Sequence, residues 1–314
     1  MSGSAATAEL LADRGEASAS EEFFRCREFL DAEGVTHTLR VTAGEDALLA
    51  PLVVREIPGA DALDAISPYG YPGIVRLPPS DALIDPAEVD FSTTGLVSAF
   101  IRHTLGDPPL ARVTERNVVQ IADPALPAKS RGSDRNQINK NRRNGYEVRL
   151  VPGPDTTPQE RAGFLLAYEQ TMRRASATER YFFGADYFDT ILRSPRTRLA
   201  VAEAPGGGVA AASIAAVSDG FLHYYLSGSA DSHLRDSPMK NVVAALIEHA
   251  TELGLPLNLG GGITPGDPLE EFKRGFANRE QPWHTSELIC DRKAYDRLSD
   301  HEATSFFPAY RQPR

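Results

Sequence analysis

The stretch from Arg198 to Ser229 constrains the fold more than any other part of the chain: RLAVAEA, then PGGG, then VAAASIAAVS, then DG, then FLHYYLSGS. Three runs of small, β-branched and aromatic residues are separated by the glycine-rich pairs and tetrads that tight hairpin turns require, so the spacing predicts a meander of three antiparallel strands. Helices are predicted on both sides of it. Upstream, Thr157-Pro158-Gln159-Glu160 combines a capping residue, a proline at the first helical position and a glutamate at the third, and Phe164, Leu165, Tyr168 and Met172 then share one stripe. Downstream, Ser237-Pro238 opens a helix whose buried face is Met239, Val242, Val243, Leu246, Ala250 and Leu253, with Gly254 just past its end. A short apolar strand over 255–259 then delivers Gly260, Gly261 and Gly262.

The first half repeats this order more faintly. SEEFFRCREFLDAEG reads as a helix, THTLRVTA and DALLAPLVVREI as a hairpin, TTGLVSAFIRHTL as a helix and ARVTERNVVQIAD as a strand. The expected class is α+β, with mixed, mostly antiparallel sheets flanked by helices. The expected organisation is a loose N-terminal tail over 1–20, a first domain over 21–150 that ends in a basic segment, and a second over 151–314 that carries the main site.

Composition excludes several chemistries. Two cysteines give no disulfide framework or metal pair, seven histidines show no metal-ligand spacing, and no G-x-S-x-G elbow is present, so neither a metalloenzyme nor a serine hydrolase is expected and no cofactor is called for. The N-terminus lacks a basic leader followed by an apolar core, and the most apolar window, LLAPLVV, falls well short of the roughly 20 residues that cross a bilayer. A soluble, cytoplasmic protein is expected.

Charge is unevenly placed. The net charge is −10, yet residues 129–149, KSRGSDRNQINKNRRNGYEVR, carry seven Lys and Arg against two Asp and Glu. A helix here reads either as a solvated face or, with Arg131, Arg135, Lys140, Arg142 and Arg143 interleaved with asparagines, as a surface for phosphates and ribose.

LNLGGGITPGDPLEEFKRGF, residues 257–276, has the look of a phosphate loop but fails both known templates: Ile263-Thr264-Pro265 follows the glycines, and Lys273 is in no Gly-Lys-Ser/Thr triplet. The triple glycine would let backbone approach a substrate closely. By the residues alone, Lys273 reads first as a surface lysine beside Glu270 and Glu271.

The helix, meander, helix, strand order resembles the GNAT acyltransferase core. With SPYGYPG at 67–73, RNQINKNRRNGYEVR, TMRRASATERYFFGADYFD, LHYYLSGS and the glycine run, the chain resembles the Fem-like (FemABX) tRNA-dependent aminoacyltransferases, which are built from two tandem GNAT-like domains. The resemblance implies an aminoacyl-tRNA co-substrate, a peptide bond formed on an amine, and a catalytic Lys273 that stabilises the developing negative charge. It implies substrate contacts from Tyr69, Tyr71, Tyr181, Phe182, Tyr224, Asn258, Gly260, Gly261, Gly262 and Phe272, and tRNA contacts from the basic stretch. Several alternatives stand beside these: Tyr69 and Tyr71 pack their own loop, one of Tyr181, Phe182 and Phe183 is core, Tyr224 and Tyr225 face opposite ways, and Phe272 packs with Phe276. No segment matches the long helical arm of the members that build peptidoglycan bridges, which tilts the expected acceptor from a peptidoglycan precursor to a small peptide or peptidyl natural product, as in antibiotic biosynthesis.

The donor has a rival. An acyl-CoA enzyme of this fold holds pyrophosphate at the start of the helix after the meander, where this chain reads SADSHLRDSPMKN. Asp236 and Pro238 supply a carboxylate and a missing N–H there, whereas His233, Arg235 and Lys240 keep acyl-CoA open. A third reading is a non-catalytic RNA-binding protein on the same fold.

Overall fold

In the computed structural model, which describes residues 6–14, 20–299 and 306–312, the chain divides into two units: 117–281, and 1–116 together with 282–314. The latter begins with β1 (Ala6–Leu11), α1 (Arg27–Ala32), β2 (His37–Ala43), β3 (Asp46–Glu56), β4 (Leu63–Ile66), β5 (Val75–Leu77), β6 (Val89–Asp90) and β7 (Leu96–Arg102). The expected hairpin is β2 and β3, paired from His37↔Leu52 to Ala43↔Asp46.

Two expectations for this unit are corrected. The segment 1–20 is not all loose tail, because β1 pairs antiparallel with β2 and buries Ala8; residues 1–5 and 15–19 of that segment lie outside the described ones. TTGLVSAFIRHTL is not a helix. Its centre is β7, with Leu96, Ala99 and Ile101 in one core cluster and Val97 in another. A strand buried on both faces reads as a continuous apolar run, which periodicity cannot separate from a buried helix.

The other unit contains β8 (Thr114–Ala122), which starts just before it, then α2 (Gly132–Arg143), β9 (Glu147–Pro152), α3 (Pro158–Arg174), α4 (Ala185–Ile191), β10 (Thr197–Glu203), β11 (Val209–Ser218), β12 (Phe221–Ser229), α5 (Met239–Leu253), β13 (Leu257–Gly260) and α6 (Pro268–Arg274). Its strands run in the order β8, β13, β12, β11, β10, β9, antiparallel except for the β12–β13 pair. β14 (Arg279–Ile289) and α7 (Arg292–Leu298) complete the first unit, β14 pairing with β7 from Thr285↔Arg102 to Ile289↔Ser98. The division therefore departs from a cut at residue 150. The basic helix α2 and strand β9 are built into 117–281, because β9 pairs with β10 and Asn141 of α2 bonds Asn241 of α5.

Local chemistry accounts for the elements that flank the meander. Thr157 and Glu160 form a reciprocal capping box on α3, with Pro158 in its first turn. Gly254, with φ +67°, ends α5 in the left-handed conformation. Val242, Val243, Leu246 and Ala250 are buried as expected; Met239 is half-buried and Leu253, in the last turn, is exposed. α3 lies close on β12 because Gly228 lacks a side chain: a Cβ there would come within 2.4 Å of the Tyr168 backbone nitrogen. Among the described residues, no helix is long and apolar enough to cross a membrane, and no group of three or more His, Cys, Asp or Glu is placed to hold a metal ion.

Candidate active site

The glycine run leaves the sheet at the end of β13, between β12 and β8, and each of its glycines is fixed by a different polar side chain. Gly260, with φ +76°, donates its N–H to Asn258 Oδ1 at 2.8 Å. Gly261 accepts on its carbonyl from Lys273 Nζ at 2.7 Å, and Gly262 accepts from Asn117 Nδ2 at 2.9 Å. Glycine is obligatory at the last two positions. A Cβ on Gly261 would lie 2.5 Å from Asn117 Nδ2 and 2.8 Å from the Val118 carbonyl, and one on Gly262 would lie 2.7 Å from Asp267 Oδ1. The run's lack of side chains thus first serves the close approach of the protein's own groups.

Beyond the glycines, Asp267 organises the turn into α6. Its carboxylate accepts from Ile263 N at 2.6 Å, Thr264 N at 3.0 Å and, as N-cap, Glu270 N at 2.7 Å. Burial pulls its carboxyl up, but these backbone donors outweigh it and hold the group below the usual carboxylate range. Glu270 accepts from Gly266 N at 2.8 Å.

Lys273 is only 8% exposed, nearly two turns beyond this cap. Burial pushes its ammonium down to about 8, against an opposing pull from Asp267. The surface-lysine alternative is therefore not what the structure has: Glu271 beside it is exposed and pairs with Arg131, while Lys273 turns inward.

Asn258 is buried and sits behind the glycines. Its Nδ2 donates to His223 Nδ1 at 3.0 Å across the β12–β13 pair, and His223 Nε2 donates to the Ser218 carbonyl at 3.2 Å. Burial pushes the His223 imidazole down to about 4, so it stays neutral and the relay keeps one polarity. Asn117 and His223 are supports that sequence reasoning did not single out; both find their partners far along the chain.

The aromatic candidates separate. Tyr224 packs against the cluster formed with α5, and burial pushes its phenol up to about 12, whereas Tyr225 shares a 2.8 Å hydrogen bond with Tyr187 of α4. Phe272 packs on the same cluster as Tyr224, edge-on to Phe276 with ring centroids 5.5 Å apart. Phe183 is the member of its trio that stacks inward, on Tyr187 at 4.1 Å; Phe182 is exposed, and Arg180 lies 4.7 Å over the Tyr181 ring. Tyr69 and Tyr71 belong to the other unit. There the Tyr69 N–H donates to Glu33 at 2.7 Å, and Tyr71 packs edge-on between Phe24 and Trp283.

The start of α5 is closed by α2. Asn141 Nδ2 donates to the Asp236 carbonyl at 2.7 Å and to Asn241 Oδ1 at 2.8 Å, Gln137 adds a bond to the same carbonyl at 3.1 Å, and Lys240 is paired with Asp134 at 2.8 Å. The Asp236 carboxylate accepts from Tyr146 OH at 2.8 Å. Ser237 stands at φ +49° and Pro238 caps the helix without an N–H. The opposite face of α2 leaves Arg135, Lys140, Arg142 and Arg143 exposed, with Arg142 reaching Glu248 at 3.3 Å.

A family model described as an acetyltransferase (GNAT) domain matches residues 128–274. Among solved structures, FemX superposes with a TM-score of 0.61 at 10% identity, over 92% of this chain and 99% of FemX. L-PGS from Bacillus licheniformis superposes with a TM-score of 0.53 at 14% identity, over 78% of this chain and 82% of its own. The C-terminal domain of a putative lysylphosphatidylglycerol synthetase from Agrobacterium fabrum gives 0.52 at 15% identity, over 79% and 82%. The chain has the Fem-like tandem GNAT fold. No curated protein matches its sequence. In this fold, the half-buried glycine run and Lys273 stand at the end of a strand, where α/β proteins present backbone to ligands.

Proposed function

We propose that the protein transfers an amino acid from aminoacyl-tRNA to the amine of a small peptide, a peptidyl natural product or a peptidoglycan precursor, forming a peptide bond. The observation that carries this reading is α2. Its inner face closes the helix start where acyl-CoA pyrophosphate would bind, and its outer face presents Arg135, Lys140, Arg142 and Arg143 to a polyanion. The name lysylphosphatidylglycerol synthetase describes the joining of a lysyl group to a lipid, an aminoacyl transfer in the same sense.

The chemistry suits the site. The acceptor nitrogen attacks the ester carbonyl carbon, and the C–N bond forms as the carbonyl oxygen takes the electron pair. Collapse breaks the C–O bond to the ribose, whose oxygen takes the proton released by the amine. An α-amino group with a pKa near ~8 is already partly neutral at physiological pH, so a strong base is not required. Lys273 brings positive charge to the glycine-run backbone, through its bond to the Gly261 carbonyl, where the oxyanion develops.

The test is donor dependence. The protein is incubated with a peptide amine and labelled amino acids, tRNA and synthetases, in parallel with an acyl-CoA mixture, each with and without ribonuclease. Product that requires charged tRNA and is abolished by ribonuclease is the expected result. Product from acyl-CoA, indifferent to ribonuclease, would replace this reading with an acyl-CoA-dependent N-acyltransferase, and tRNA binding without product would leave an RNA-binding protein.

A further inference from the structure

The hydrogen bonds of the glycine run leave two backbone donors without a protein acceptor among the described residues, the N–H groups of Gly261 and Gly262, and only the second belongs to the peptide whose carbonyl Lys273 holds. At the peptide joining Gly262 to Ile263 both ends are taken, the carbonyl by Asn117 at 2.9 Å and the N–H by Asp267 at 2.6 Å. At the peptide joining Gly261 to Gly262 only the carbonyl is taken, by Lys273 at 2.7 Å. Among the described residues, the Gly262 N–H donates to no other group of the protein. That peptide is trans, so its N–H points away from its carbonyl and hence away from the Lys273 ammonium. Gly262 is half-buried and can carry no side chain, because a Cβ would meet Asp267 Oδ1 at 2.7 Å.

We infer that the backbone N–H of Gly262 is the donor that holds the developing oxyanion, and that Lys273 acts through the same peptide as a positioning residue without touching the substrate. This rests on the acyl-transfer reading above. A cation bonded to a carbonyl polarises the whole peptide and strengthens its N–H as a donor, as in any cooperative hydrogen-bonded chain. The arrangement is also preorganised: Asn258 fixes Gly260, Asn117 fixes Gly262 and Lys273 fixes the plane between them, so no reorientation is needed when charge appears. In the reaction, the ester carbonyl oxygen accepts from the Gly262 N–H as it gains the electron pair, and it releases that bond when the C–O bond to the ribose breaks.

The test replaces Gly262 by glycolic acid in the full chain through in vitro suppression, which exchanges one N–H for an oxygen. Turnover with charged tRNA is expected to fall ~10²-fold, as for the loss of one oxyanion donor, with KM within about 3-fold. Wild-type turnover in the ester-containing protein would overturn the assignment. A second measurement on the unmodified chain does not depend on that variant folding. In ¹⁵N–¹H spectra, an adenosine aminoalkylphosphonate, a tetrahedral anion in place of the ester, should move the Gly262 amide proton downfield. A shift at the Lys273 ammonium with Gly262 unmoved would show direct contact by the lysine and overturn the proposal. If the unmodified chain makes product only from acyl-CoA, the donor reading fails by itself, and the same two measurements made with that donor still decide the role of Gly262.

Discussion

Replacing Lys273 by Met should produce a protein that is inactive yet no less stable. Lys273 is nearly fully buried, and its ammonium is pushed from 10.5 down to about 8. At pH 7 the folded state therefore carries a desolvated charge at a cost of about 3 kcal/mol, since each pKa unit is ~1.4 kcal/mol. Met fills similar volume without that charge, but it leaves the Gly261 carbonyl without its donor, which costs ~1–3 kcal/mol. The two effects oppose each other, so urea unfolding at pH 7 should place Lys273→Met between unchanged and about 2 kcal/mol more stable than the parent. The pH dependence has a defined sign. Below pH 8 both folded and unfolded states are protonated and the cost is complete. Between about 8 and 10.5 the folded state has lost its proton and the unfolded state has not, so parent stability rises with pH and the advantage of the variant shrinks, by about 2 kcal/mol at pH 9.5. Turnover should meanwhile fall ~10²-fold or more. A variant destabilised by more than about 2 kcal/mol at pH 7 would show that the lysine is held for packing and bonding, and retained turnover would remove it from the mechanism.

Asn141→Leu should destabilise by ~2–4 kcal/mol in chemical unfolding, because it leaves Asn241 Oδ1 and the Asp236 carbonyl short of a buried donor at the α2–α5 contact. Charge reversal of the exposed pair, Arg142→Glu with Arg143→Glu, should leave unfolding within about 0.5 kcal/mol of the parent. The same double variant should weaken use of charged tRNA and flatten the dependence of log KM on log salt concentration by about 2; an unchanged slope would assign this face of α2 to solvent.

The elements read correctly from sequence are those whose cause is local. The capping box at Thr157 and Glu160, the glycine turns of the meander and the left-handed Gly254 each act within a few residues, so the order β10, β11, β12, α5, β13 is written in neighbouring positions. β7 misleads because its surroundings are distant: with clusters on both sides, its apolar run loses the alternation that marks a strand. β1 looks like tail because its support, the pairings with β2 and β6 and the core cluster around Ala8, comes from residues far along the chain.

The site divides the same way. The sequence shows a glycine run at the end of a strand and a lysine some ten residues later, and chemistry alone makes both candidates. It does not show that Lys273 is buried, because Glu270 and Glu271 beside it describe an exposed helix, and only the fold turns Lys273 inward onto Gly261. Nor does it show Asn117 or His223, which reach the run from β8 and β12 across the sheet. The turns of the meander and the helix ends follow from steric and hydrogen-bonding preferences that act along the chain. Which peptide N–H is left free, and which ammonium is stripped of water, depends on groups brought together from far apart, and those the tertiary structure alone decided.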